Sequence, residues 1–352
     1  MTQKIWYAIG VMSGTSLDGL DLAYVKFNVA DGYKFEILEA ETIKYSESWK
    51  KTLQEAFKEK SENLKGLSAK YGDYLGQCLN TFIVKNSIEN LDFIASHGHT
   101  IFHKPAQAYT LQIGDGKRIA KLTGKTVICD FRTQDVLLGG QGAPLVPIGD
   151  ALLFGNYDYC LNLGGFSNIS FDDNGLRKAY DVCPVNIVLN KYAQQLGFDY
   201  DDKGALAATG IIDKILLKEL NELPFYTSDF PKSLAYEFVV ETIQPILDRY
   251  TQNPKDILHT FTEHIAQQIA LNLKPHKKIL ITGGGTYNQF LIKRLSELSH
   301  CDLITPTKDL IDFKEALVFA FLGLRRLNNQ VNCLQSVTGA GKDHSSGVVF
   351  KP

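Results

Sequence analysis

The chain opens with apolar and polar positions in alternating blocks. Residues 5–12 are mostly apolar, residues 13–19 form a loop rich in small and hydroxyl side chains, and residues 20–27 are mostly apolar again. Such runs bounded by glycine predict strands. Three consecutive strands are expected over residues 5–45, turned at 14–19 and at Asp31-Gly32. Ser46 is placed to cap a helix running to about residue 60, and residues 64–85 carry helical periodicity. Short strands are predicted at 93–98, 109–114 and 127–131. The stretch Gly139-Gly140-Gln141-Gly142-Ala143-Pro144 then interrupts regular structure.

After this break the pattern recurs. Residues 159–165 read as an apolar strand ending in Gly164-Gly165, with further strands at 166–172 and 178–183. Helices are expected around 187–196, 211–220, 233–249 and 256–273. A buried-type strand at 278–281 runs into Gly283-Gly284-Gly285. A helix at 286–298, a strand at 303–305 and a helix at 313–327 follow. Two halves that each open β-β-β and continue as mixed α/β units imply duplication of topology, with little sequence identity between them. The expected class is α/β, two duplicated actin-like (ribonuclease H-like) domains around a central cleft. Residues 1–155 form one domain and 156–352 the other, and the C-terminal residues are free to return to the first.

Length and charge narrow the classes. A chain of 352 residues fits about two domains, and a formal net charge of −2 provides no basic field for nucleic acid or anionic membranes. Six scattered cysteines without a CxxC pair suit reduced cytosolic thiols better than a disulfide frame. The N-terminal stretch lacks a signal-like pattern and no apolar run is long enough to span a membrane, so a cytoplasmic protein is expected.

Four glycine-rich elements end strands, and together they suit a phosphate clamp. In the first, Gly14 and Gly19 admit a bulky anion close to the backbone, while Ser13, Thr15 and Ser16 offer hydroxyl donors around Leu17. Asp18 and Asp21 offer hard oxygens to Mg2+, directly or through water. The loop is neither a Walker A motif nor GxGxxG, and a polar hairpin turn explains it equally well. Gly164 and Gly165 form a second candidate loop. Gly283, Gly284 and Gly285 precede a predicted helix whose N-terminus favours anions, and they suit a nucleoside lying against backbone.

His97, His99 and His103 form H-x-H-x3-H. With no neighbouring cysteine or carboxylate to complete a metal set, strand-end packing or contacts to sugar hydroxyls are favoured over zinc. Arg132, just past a strand, is suited to grip a carboxylate with two prongs, or else to pair with Asp135 on the surface. Asp181 is either a general base or an acid favouring the helix that follows it. Glu315 falls in the first turn of the last predicted helix, where the dipole stabilises a carboxylate in any case.

The chain resembles the anhydro-N-acetylmuramic acid kinase family of the actin/hexokinase/heat-shock-protein superfamily. The matching stretches are GVMSGTSLDGLD (10–21), HGHTIFHKP (97–105), TLQIGDG (110–116) and DFRTQDVLLGGQGAPLVP (130–147), then LNLGGFSNIS (161–170), ITGGGTYN (281–288), EALVFAFL (315–322) and SVTGA (336–340). They keep order and spacing from end to end. The resemblance implies an ATP- and Mg2+-dependent kinase of cell-wall recycling. It would open the 1,6-anhydro bridge of 1,6-anhydro-N-acetylmuramic acid with water and phosphorylate the freed O6. A homodimer is also implied. Carried over, Asp181 matches the catalytic base, Arg132 a sugar-contacting arginine, and His97 and Thr100 the sugar-side element, with Glu315 lining the active cleft. The loop from Ser13 to Gly19 matches the ATP phosphate loop, with Asp18 toward Mg2+. Gly164, Gly165 and Asn168 match the second phosphate loop, and Gly283, Gly284 and Gly285 the nucleoside border.

Three positions depart from the family pattern. Its Asp-Thr-Gly-Pro-Gly-Asn is Asp181-Val182-Cys183-Pro184-Val185-Asn186 here, its HGQT is HGHT with His99, and a Thr-Gly-Arg-Glu element near Ser233 is Leu234-Ala235-Tyr236-Glu237. These changes motivate two alternatives: a kinase for another anhydro sugar, and a sugar- or nucleotide-binding protein of the same fold without catalysis.

Overall fold

The first strands form where the apolar runs predict them. A computed structural model describes residues 4–14, 17–59, 61–228, 230, 232–250 and 253–352. Strands β1 (Ile5–Ser13), β2 (Leu20–Asn28) and β3 (Lys34–Ile43) make two consecutive hairpins. They are followed by β4 (Phe93–Lys104), β5 (Tyr109–Ile113) and β6 (Thr126–Cys129). The second set is β7 (Tyr159–Leu163), β8 (Phe166–Asp173), β9 (Leu176–Pro184), β10 (Lys278–Thr282) and β11 (Asp302–Ile304), and β12 (Val348–Phe350) closes the chain.

The two sheets share one topology. The first runs β12-β6-β4-β1-β2-β3, with β5 on β4, and the second β11-β10-β7-β8-β9. In the first sheet β2 is antiparallel to its neighbours, and β1, β4 and β6 are parallel. The second repeats this, with β8 antiparallel and β7, β10 and β11 parallel. Hairpins join the antiparallel strands, and the parallel ones need helical crossovers. This order, with the second strand reversed, is the ribonuclease H-like arrangement, present twice.

By contacts the chain divides into one unit of Met1–Leu153 with Phe313–Pro352 and another of Phe154–Asp312. The first packs Ile9, Leu22 and Ile94 against Tyr71, Leu75 and Phe82 of the helix Ser61–Lys85. The second packs Leu161, Ile279 and Ile281 with Phe261 and Ile265 of the helix Pro254–Leu271. The six cysteines are free thiols. No helix among the described residues is long and apolar enough to cross a membrane.

The close fit of the C-terminal segment to the first unit rests on a glycine. A Cβ on Gly10 of β1 would lie 1.8 Å from the Ala316 carbonyl oxygen. Backbone carbonyls cannot yield as side-chain tips do. Gly10→Ala is therefore expected to cost about 2 kcal/mol or more, seen calorimetrically as a Tm lower by several degrees. An unchanged Tm would refute this packing.

Some helices depart from expectation. Ser46 does cap the helix Glu47–Glu55, accepting from the Trp49 N–H. The region 233–249 is not one α-helix but short turns and a π-type stretch, Val239–Ile243, before Gln244–Asp248. Pro245 explains the break, because it lacks the N–H that would continue the α-helical ladder. The helix expected at 286 begins at Gln289, after a 3-10 turn at Gly284–Tyr287, and Asn288 caps it by accepting from the Leu291 N–H at 2.9 Å. The three glycines are therefore separated from that helix N-terminus, whose free donors are already partly satisfied. The last long helix runs Lys308–Leu327, so Glu315 lies in its second turn and not its first. The dipole explanation for Glu315 falls away.

Candidate functional site

In the first unit the site residues are set by the ends of β4 and β6. Asp130, at φ 56, turns the chain sharply after β6, and its Oδ1 accepts from the Thr133 N–H at 3.3 Å. This aims Arg132 back at β4. Its Nε donates to His97 Nε2 at 3.0 Å and its Nη1 to the Gly142 carbonyl at 2.6 Å. The expected surface pair with Asp135 does not form. Asp135 is fully buried, and its carboxylate accepts from the Gly142 N–H at 2.6 Å and the Thr338 hydroxyl at 2.7 Å. Asp135 thus holds the loop that holds Arg132.

Neither direct partner of Arg132 carries a negative charge. His97 is buried, and burial with the neighbouring guanidinium holds its pKa well below the usual imidazole value, so it stays neutral. Because Nε2 accepts, the ring proton sits on Nδ1, which has no hydrogen-bond partner among the described residues. Burial lowers the pKa of Arg132 to about 10, while Glu315 is the strongest of the charges opposing that shift. The Glu315 carboxyl reaches solvent, yet surrounding protein raises its pKa against the pull of Arg132 and then Lys314. The unit therefore offers a fixed cation, a neutral buried imidazole and an accessible acid. Such a set suits an anionic, hydroxyl-bearing ligand.

The other residues of β4 go elsewhere. His99 Nδ1 lies 2.7 Å from Ser13 Oγ, which in turn is 2.7 Å from the Tyr45 hydroxyl, itself 2.6 Å from that of Tyr71. Burial lowers the His99 pKa to about 4. The Ser13 hydroxyl is thus spent inside a buried chain and anchors the end of β1. Thr100 accepts from Gln112 at 3.3 Å across β4 and β5, and His103 Nδ1 meets the Thr110 hydroxyl at 3.2 Å. Among the described residues the three histidines do not gather into one metal-ligand cluster. Of the first loop, Thr15 and Ser16 lie outside the described residues. Leu17 takes a left-handed φ of 61 and its N–H donates to the Gly14 carbonyl. A Cβ on Gly19 would meet the Ile43 carbonyl at 2.7 Å. Asp18 is exposed, a hard-oxygen donor of the kind Mg2+ takes.

In the second unit, sheet register builds a polar row. Thr282 pairs with Asn162, Asn162 with Asn168, and Asn168 with Asp181. Directly opposed residues share a face, so a hydroxyl, two carboxamides and a carboxylate line up across four strands. Asn168 therefore belongs beside Asp181 and not in the turn at Gly164 and Gly165. Asn162 was not singled out from sequence, although an asparagine inside the apolar strand Tyr159–Leu163 is a usable signal. A Cβ on Gly283, at φ 83, would lie 2.6 Å from Asn162 Oδ1 and 2.9 Å from the Leu163 carbonyl. Gly285 meets Leu163 in the same way, while a Cβ on Gly284 would meet only Asn186 Nδ2, at an ordinary contact distance of 3.8 Å. The glycines thus let this turn close over the end of β7.

Asp181 is partly buried, and burial raises its carboxyl pKa. The Leu234 N–H donates to Oδ2 at 2.8 Å and opposes that rise. A carboxylate with a raised pKa, held by a backbone N–H, is suited to take a proton. The family departures nearby point inward. Val182, Cys183 and Val185 are buried in the unit's apolar core, and Cys183 bonds Ser167 through its backbone. Leu234, within the altered element, holds Asp181 through its backbone N–H and not through its side chain.

Two ribonuclease H-like units in one chain, with glycine turns at their strand ends, define an actin-like α/β fold. The sequence model of the family described as anhydro-N-acetylmuramic acid kinase matches residues 6–352. The anhydro-N-acetylmuramic acid kinase of Hydrogenovibrio crunogenus is 36% identical over 98% of each chain. That of Francisella tularensis subsp. novicida is 34% identical over 95% of this chain and 96% of its own. Among solved structures, a ligand-bound xylulose kinase from Lactobacillus acidophilus aligns over 98% of this chain and 94% of its own, at 12% identity and a TM-score of 0.41. The chain belongs to the anhydro-N-acetylmuramic acid kinase family.

Proposed function

We propose that this chain opens the 1,6-anhydro bridge of 1,6-anhydro-N-acetylmuramic acid with water and phosphorylates the freed O6 from ATP, giving N-acetylmuramic acid 6-phosphate and ADP. The observation that carries this reading is Asp181: its carboxyl pKa is raised by burial, and it is held by the Leu234 N–H within a row of polar side chains. In the reaction, Asp181 takes a proton from water as the water oxygen bonds to the anomeric carbon. The bond from that carbon to O6 breaks, and its electron pair stays on O6. O6 then bonds to the γ-phosphorus as the bond to the ADP oxygen breaks. Arg132, oriented by the His97 ring and the Gly142 carbonyl, binds the lactyl carboxylate. Thr100 and Glu315 contact the sugar.

The loop at Gly14, Leu17 and Gly19 and the turns at Gly164, Gly165 and Gly283 to Gly285 provide backbone for the nucleotide. Asp18 would hold Mg2+, which when bound neutralises charge on the phosphates. A cytoplasmic homodimer completes the reading.

The test is ADP release with Mg-ATP and the anhydro sugar, with product mass determined. A product heavier by both water and phosphate supports the reading; ATP binding without turnover would move it to another anhydro sugar or to binding alone. The acid limb of the pH profile is a second check. Asp181 works as a base only when ionised, and its pKa is raised. The rate should therefore rise with pH through a midpoint above about 4, the ordinary carboxylate value. A flat profile from pH 4 to 7 would contradict this.

A further inference from the structure

Behind the loop that holds Arg132, a buried cluster that includes Asp135 has the composition and spacing of a metal centre. Asp135, Cys333 and His344 are each buried, and one ligand atom from each lies within 4.8 Å of the others. Cys333 and His344 face each other in an antiparallel bridge, the Cys333 N–H donating to the His344 carbonyl and the His344 N–H to that of Cys333, both at 3.1 Å. A pair of this kind projects both side chains to one face. From there the Cys333 thiol donates to Asp135 Oδ1 at 3.1 Å, and His344 Nε2 lies 3.5 Å from the same oxygen. A tetrahedral zinc ion, with ligand bonds of about 2.0 to 2.3 Å, sets such atoms roughly 3.3 to 3.5 Å apart.

The histidine supplies an independent sign. His344 Nδ1 lies 3.1 Å from the Lys342 carbonyl oxygen, which can only accept, so Nδ1 carries the proton. Nε2 is buried, lacks a hydrogen-bond partner among the described residues and lies 3.5 Å from Asp135 Oδ1. The outer contacts also match a metal site. A ligating histidine normally donates its other N–H to a carbonyl, and a ligating carboxylate is itself hydrogen-bonded. Here the Gly142 N–H donates to Asp135 Oδ2 and the Thr338 hydroxyl to Oδ1.

We propose that Asp135, Cys333 and His344 bind one divalent cation of borderline softness, zinc above all, which pins the loop carrying Gly142 and through it Arg132. On binding, the Cys333 thiol releases its proton to solvent and the thiolate bonds to the metal. The ion acts on the site through Asp135, whose carboxylate accepts from the Gly142 N–H while the Gly142 carbonyl holds Arg132.

The full chain, freed of any affinity tag, is incubated with Zn2+, desalted and analysed for metal. About one zinc per chain is expected, falling at least tenfold in Cys333→Ser and in His344→Ala. Crystals of the wild-type protein measured above the zinc absorption edge should show an anomalous peak between Cys333 Sγ and His344 Nε2, which decides the matter even if the variants fail to fold. Less than about 0.1 zinc per chain would overturn the proposal. So would a zinc content that neither substitution changes, or an anomalous peak elsewhere.

Discussion

Asp181→Asn should lower kcat about a thousandfold while ATP affinity stays within a factor of two or three. Loss of a general base costs typically 10² to 10⁴ in rate. Asparagine has the same shape and keeps an oxygen to accept from the Leu234 N–H, so the bond that fixes the residue survives. The partner on β8, Asn168, is unchanged as well. The substitution thus isolates proton abstraction from folding. Turnover within tenfold of wild type, with normal stability, would remove Asp181 from the role of base.

Arg132→Ala should act on the sugar and leave the nucleotide nearly untouched. A charge-assisted hydrogen bond contributes about 1.5–3 kcal/mol, so losing the guanidinium should raise the sugar KM about ten- to a hundredfold. Its neighbours also lose a partner, because Arg132 orients His97 and ties down the Gly142 carbonyl. Two comparisons separate these effects. Arg132→Lys restores charge without the fork and should recover only part of the affinity. The same anhydro sugar without its lactyl group should bind wild type and Arg132→Ala about equally, if the arginine reads the carboxylate. A defect confined to ATP would contradict the assignment.

Much of the fold was legible because its signals are local. Apolar runs with glycine at one end mark β1, β2, β7 and β10, and the three-strand openings expose the duplication that the sheet orders display. The start of the last helix was not legible. Lys308, Asp309 and Asp312 read as loop, although the polar side of a helix accepts them equally well. Contacts distant in sequence were also hidden. Nothing near Arg132 announces His97, and nothing near Asp135 announces Thr338. The support of Asp181 by a backbone N–H leaves no side-chain signature at Leu234. The departures at Val182, Cys183 and Val185 suggested an altered site, but they face the core, where apolar bulk packs well.

The most direct test of the central claim is turnover of 1,6-anhydro-N-acetylmuramic acid with Mg-ATP in water enriched in oxygen-18, followed by mass analysis of the sugar phosphate. One heavy oxygen per product molecule is expected, located on the anomeric carbon and absent from the phosphoryl group, with its formation lost in Asp181→Asn. Unlabelled product, or label found in the phosphate, would contradict it.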